Sequence, residues 1–180
     1  MIGPVVVGQP ALSPIFQIGQ APGPHEGRLG KPFAWTAGKT LFRWYTRIGV
    51  DETTFRERVY MAAVCRCFPG KNPKGGDRVP NAEEIARCGA WMAEEVKLLQ
   101  PELVIPVGKL AISQLLNYDK LDAVVGKSHR LNWHGREVDV IPLPHPSGLS
   151  TWWKVEPGKT LLDQALHLIA AHPAWIRMFR

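Results

Sequence analysis

A histidine held between two prolines, with small hydroxyls just after it, is the most chemically pointed feature of this 180-residue chain. In Pro144-His145-Pro146-Ser147-Gly148-Leu149-Ser150 the prolines stiffen the backbone, so the chain itself largely sets where the imidazole sits. A fixed imidazole beside Ser147 suits a hydrogen bond to a substrate oxygen, and an exposed Leu149 could serve as an apolar wedge. A surface turn in which His145 caps a strand end would use the same residues. A second feature, "IGQAPGPHEGRLGKPFAWTAG", runs from Ile18 to Gly38 and is far longer than an ordinary turn. Its glycines, Gly19, Gly23, Gly27 and Gly30, let backbone N–H groups come close to a ligand. Gln20 adds an amide that reads donors and acceptors, and Phe33 adds a flat apolar face. A dinucleotide loop would need G-x-G-x-x-G spacing and a helix opening directly from the glycines, and neither is expected here.

Both features must be carried by something rigid. Four apolar runs read as buried strands: Pro14–Gly19, Val59–Cys65, Leu103–Gly108 and Val138–Leu143. Helical patterns fall between and after them, at Lys39–Ile48, Asn81–Gln100, Lys109–Leu116 and Lys159–Ala171. The second of these carries its own punctuation, with Asn81 as cap, Glu84 completing a capping box and Pro101 as the stop. Its stripe of Ile85, Cys88, Met92, Val96 and Leu99 makes one apolar face. Alternating strands and helices imply an α/β protein, a three-layer α/β/α sandwich with a central, mostly parallel four-stranded sheet and right-handed crossovers. One domain over residues 1–180 is expected. Both chemical loops leave from carboxyl ends of strands, where such sheets gather their functional groups. A third loop, Phe68–Asn81, rich in glycine and lysine, does the same. Between strands, His129 and His134 flank Trp133 in an expected hairpin.

The totals narrow the class. Apolar residues make up 45% of the chain, too many for a disordered segment, and no run approaches the roughly 20 residues of a spanning helix. The start "MIGPVVVGQPALSPIF" has no basic stretch or cleavage site of an export signal, so a cytoplasmic protein is expected. The net charge of +6 suits a polyanionic partner. Cys65, Cys67 and Cys88 are too few, and an odd number, for a disulfide framework. The histidines show no metal-ligand spacing on one helix face.

Taken together, the two loops resemble the uracil-DNA glycosylase superfamily. Gly19-Gln20-Ala21-Pro22-Gly23 is similar to its motif A, and His145-Pro146-Ser147-Gly148-Leu149-Ser150 to its motif B, near the H-P-S-P-L-S of family 1. "GRLGKPF", "YMAAVCRCFPG", "VPNAEEIARCGAW" and "PELVIPVGKLA" resemble stretches of the bacterial and archaeal iron–sulfur families 4 and 5, in the same order. The likeness spans Pro14 to Trp152. It implies DNA repair by hydrolysis of the N-glycosidic bond of uracil or another deaminated base flipped out of single- or double-stranded DNA, leaving an abasic site. The partner would be that DNA, the protein a monomer, and its setting the cytoplasm of a bacterium or archaeon.

In that likeness Phe33 stacks on the base, Gln20 and the adjoining main chain hold its edge, and His145 donates to a pyrimidine carbonyl. Leu149 fills the gap in the duplex, while Ser147, Gly148 and Ser150 touch flanking phosphates. Lys71, Lys74 and Arg78 would be further phosphate neighbours. Three positions depart from the family pattern. Ala21 stands where family 1 has a catalytic Asp, which leaves His25 and, after it, Glu26 as the nearest substitutes; family 5 has a His at the place of His25. Ala63 stands where several families have a base-reading Asn, which implies relaxed specificity. Only Cys67 and Cys88 match the four iron–sulfur ligands, so no cluster or other cofactor is expected. Loss of the acid also leaves open a non-catalytic or covalently trapping damaged-DNA-binding protein on the same fold. A nucleotide-binding α/β enzyme unrelated to repair is the third reading.

Overall fold

The computed structural model describes residues 2–73 and 75–180, and it begins its sheet where the first apolar run stands. Strand β1 (Ile15–Gly19) is fully buried, and its side chains alternate between two cores. Ile15 joins one apolar cluster, and Phe16 and Ile18 join the other. Gln17, the polar member, points to the first face and accepts a hydrogen bond from the Tyr45 hydroxyl at 2.7 Å. Such alternation without a polar side is what a central strand of a doubly covered sheet requires.

Around it lie β2 (Tyr60–Ala63), β3 (Leu103–Pro106), β4 (His129–Trp133) and β5 (Arg136–Val140), in the order β2-β1-β3-β5-β4. The first four of that order are parallel to their neighbours, and β4 is antiparallel to β5. The sheet thus has five strands among the described residues, not the expected four. The addition is the first arm of the hairpin. With its alternating half-exposed pattern it lies at the sheet's edge, where only one face and one ladder need satisfying. The last strand also ends earlier than its apolar run suggests. Beyond Val140, only alternate residues still bond to β3: Ile141 N–H to Val104 and Leu143 N–H to Pro106. Pro142 falls between these and Pro144 follows them, at the alternate positions where a missing N–H costs nothing.

On one face pack α2 (Thr36–Thr46), α3 (Glu52–Arg58), α6 (Gly158–Ala171) and α7 (Pro173–Phe179), through Tyr45, Phe55, Leu162, Ile169 and Trp175. On the other pack α4 (Ala82–Leu99) and α5 (Lys109–Ser113), through Met92, Val96 and Ala111. This is the α/β/α sandwich. In α4, Asn81 accepts from Glu84 N–H and Glu84 accepts from Asn81 N–H, both at 2.9 Å. Of its stripe, Met92 and Val96 are buried, while Ile85, Cys88 and Leu99 cover the edge of the same core.

Three helices were not apparent in the pattern. Helix α1 (Pro24–Leu29) opens directly from Gly23 inside the first long loop, contrary to expectation. Helix α3 is capped by Asp51, which accepts from Thr54 N–H. At Pro173 the chain does stop α6, but the same residue begins α7, with His172 capping it through Nδ1. No helix is long and apolar enough to cross a membrane, among the described residues.

Candidate active site

The carboxyl ends of β1 and β2, with the loop that follows β5, enclose one cleft of about 470 Å³. Gln20, Ala21, His25, Phe33, Ala63, His145, Ser147 and Leu149 all line it. Residues separated by more than a hundred positions therefore share one cavity. Gly148 and Ser150 do not line it; Gly148 is exposed, and Ser150 borders an adjoining groove that also touches Gln20.

Phe33 has a positive φ of 52°, unusual for an aromatic residue, so something must hold it. Arg56 of α3 does so: its guanidinium donates to the carbonyls of Pro32 at 2.8 Å and Phe33 at 3.1 Å, while lying over the Phe42 ring. The Phe33 ring lies against the end of β1. A methyl group on Gly19 would come within 2.9 Å of Cε2, so only glycine lets the ring lie so low.

The imidazole is fixed from the opposite side. Gly108, just beyond β3, has a φ of 87°, and a methyl there would stand 2.9 Å from His145 Cδ2. The His145 ring thus rests on bare backbone. Ser147 N–H donates to His145 Nδ1 at 3.3 Å, which makes Nδ1 an acceptor and leaves the proton of the neutral ring on Nε2. Burial lowers the pKa of His145 from its usual 6.5, because desolvation disfavours the imidazolium. At neutral pH the cleft therefore holds an uncharged N–H donor.

His25 and Glu26 lie on α1. The His25 ring stacks on Trp35, centroids 4.2 Å apart, with Nδ1 3.4 Å from Arg28 Nη2. Glu26 reaches back along α1, and its Oε2 accepts from Gly23 N–H at 2.6 Å. Its pKa is raised, first by burial and further by the charge of Asp77.

The third loop forms a further wall, in which Pro69 and Asp77, not singled out in the sequence, line the cleft beside Lys71. Its departure from the carboxyl end of β2 was the available signal. Lys71 pairs with Asp77 at 2.7 Å at the rim. Arg78 is turned inward, donating to Glu84 and to the Pro69 carbonyl, so it fastens the loop to α4. Lys74 lies outside the described residues. Trp152 donates to Asp122, and Trp153 packs edge-on against Trp44, so both have structural partners.

The sequence model of the Uracil DNA glycosylase superfamily matches residues 6–176. The chain belongs to that superfamily. Among curated members, the type-4 uracil-DNA glycosylase of Thermotoga maritima is 32% identical over 146 residues, 81% of this chain and 71% of the relative. That of Archaeoglobus fulgidus is 30% identical, over 79% of this chain and 69% of its own. The type-5 enzyme of Pyrobaculum aerophilum is 27% identical, over 76% and 62% respectively.

Members of families 4 and 5 raise the question of an iron–sulfur cluster, and the donor set here does not fit one. The chain has three cysteines, where four thiolates are needed. Burial and the adjacent Cys88 push the Cys65 thiol up, favouring S–H over the thiolate a metal requires. The segment before motif A has no cysteine and bonds by its backbone: Ile2 with Phe68, and Val6 N–H to the Arg66 carbonyl at 2.8 Å. Beside it the buried Arg66 guanidinium forks onto Glu95, which also accepts from the Tyr60 hydroxyl. Among the described residues no three His, Cys, Asp or Glu side chains are grouped to hold a metal ion.

Proposed function

We propose that this superfamily member is a monofunctional DNA repair glycosylase that hydrolyses the N-glycosidic bond of uracil or another deaminated base extruded from DNA, leaving an abasic site. The observation that carries this reading is the shared cleft of Phe33 and His145, an aromatic face and a neutral N–H donor on loops that follow β1 and β5, two strands flanking β3. In a duplex the bond is hidden by stacking, so the nucleotide must turn out into such a pocket. Phe33 stacks on the base, and the Gln20 amide pairs with its edge. As the bond breaks, the base gains negative charge on a carbonyl oxygen, and His145 Nε2–H donates to it. A single donor of this kind supplies about 3 kcal/mol, mostly in the transition state. Ser147, Gly148 and Ser150 offer hydroxyls and backbone N–H groups to phosphates flanking the flipped nucleotide, and the net charge of +6 favours the encounter.

The test is release of free base from single-lesion oligonucleotides, followed by alkaline cleavage of the abasic product. Cleavage at uracil supports the reading, whereas tight binding without cleavage favours a damage-binding protein. Because Ala63 brings a methyl where an amide would select uracil, hypoxanthine or xanthine should also be released; strict uracil specificity would overturn that part.

Leu149 is 90% exposed at the tip of its loop, the geometry of a side chain meant to enter a partner. Its role is to fill the gap left in a duplex. Leu149→Ala should lower base release from double strands about tenfold while leaving single strands nearly unchanged. Single-turnover rates on the two substrates check this, and equal losses would remove the wedge role.

A further inference from the structure

We propose that Glu26 binds the attacking water in the cleft and takes its proton, supplying the carboxylate that Ala21 does not. This rests on the glycosylase reading above. A methyl at Ala21 can neither orient water nor offset the positive charge that develops on the sugar. Two carboxylates line the cleft, Glu26 and Asp77. Asp77 is engaged by the Lys71 ammonium at 2.7 Å, which occupies it at the rim. Glu26 is held by a main-chain donor instead, the Gly23 N–H, which orients the carboxylate and leaves lone pairs for a water.

The crowding at Gly23 points the same way. A methyl on that residue would stand 2.8 Å from Glu26 Oε2 and 3.2 Å from Asp77 Oδ2. A carboxylate needed only to cap a six-residue helix has no reason to be buried beside a second acid. The pairing has a chemical consequence: burial and the Asp77 charge raise the proton affinity of Glu26, making it a better base. His25 is a poorer candidate, since its ring is stacked on Trp35 and its Nδ1 faces the Arg28 guanidinium.

The step balances without any further reactant. The glycosidic bond breaks with its electron pair going to the base nitrogen, the water oxygen bonds to the sugar carbon, and a water proton passes to Glu26. The base anion, held by His145 Nε2–H, then takes up a proton, and Glu26 returns its own to solvent.

The decisive variant is Glu26→Gln, whose side-chain carbonyl can still accept from Gly23 N–H and so preserves the cap. It should cut single-turnover base release at least a hundredfold, with the thermal midpoint and affinity for uracil-containing single strands within error of wild type. The wild-type rate should also fall as pH drops through the Glu26 ionisation, above 4.5, and the variant should lose that limb. The charged and titratable neighbours in play are Asp77 and Lys71 from the loop, His25 and Arg28 on α1, and His145 across the cleft. A variant rate within threefold of an active wild type would overturn the role of Glu26 alone. Absence of base release by wild type would overturn the glycosylase reading and this inference with it.

Discussion

Replacing His145 by alanine should slow base release by about a hundredfold to a thousandfold in single turnover, while DNA affinity changes by less than about threefold. The difference arises because the Nε2–H bond is made weakly to a neutral base and strongly to a departing anion. The structure supplies what that requires: a ring oriented by the Ser147 N–H, resting on Gly108, and kept uncharged by burial. The same facts fix the pH response. The folded pKa of His145 lies below 6.5, so as pH falls from there the unfolded chain takes up a proton that the folded one resists. The contribution of His145 to stability is therefore fully present above about 6.5 and is lost on acidification. Protonation would also take away the acceptor that Ser147 uses, so activity declines together with stability. The thermal midpoint of His145→Ala should drop less between neutral and mildly acidic buffer than that of wild type. An equal drop would place the proton uptake on another group.

The largest loss of stability should come from the aromatic core beneath the cleft. Phe55 is fully buried, stacked on Tyr45 with centroids 4.1 Å apart and bordered by Phe42 and Trp175. Phe55→Ala leaves a cavity that rigid aromatic neighbours cannot fill. The expected cost is about 3–5 kcal/mol. Against a total stability of about 5–15 kcal/mol, that is a large fraction. The thermal midpoint should fall by roughly 10 °C, well beyond the fall expected for His145→Ala at neutral pH. Calorimetry on the two variants separates scaffold from chemistry. A small shift for Phe55→Ala would mean that the helical layer beneath Phe33 repacks freely.

These expectations draw on unequal shares of sequence and structure. Strand β1 was legible because an apolar run bounded by Pro14 and Gly19 has few other fates, and α4 because Asn81, Glu84 and Pro101 mark both ends chemically. Helix α1 was hidden by Gly23, Pro24 and Gly27, which read as loop residues, although Pro24 stands where a helix tolerates proline best. Pro173 was legible as a stop but not as the start that it also is. The strand at the sheet edge was masked by its polar residues, since an edge strand need bury only part of one face.

The site divides in the same way. Gln20 and His145 were found because two short motifs carry them, and Phe33 because it stands in the long loop that motif A opens; the cleft brings the three together. The third loop and Lys71 were noted, but the place of Asp77 in the cleft wall was not, because a glycine-rich loop carries no periodic pattern that shows its path. The relative merit of His25 and Glu26 was likewise beyond sequence. Adjacent residues on one short helix point different ways, and only the stacking on Trp35 and the bond to Gly23 separate them.

The most direct test is a crystal structure of the wild-type protein with a single strand carrying a slowly hydrolysed 2′-fluoro-deoxyuridine. The uracil ring should lie flat on Phe33, with a carbonyl oxygen within hydrogen-bond reach of His145 Nε2. A uracil bound elsewhere on the surface, with neither the Phe33 ring nor the His145 imidazole touching it, would refute the central claim.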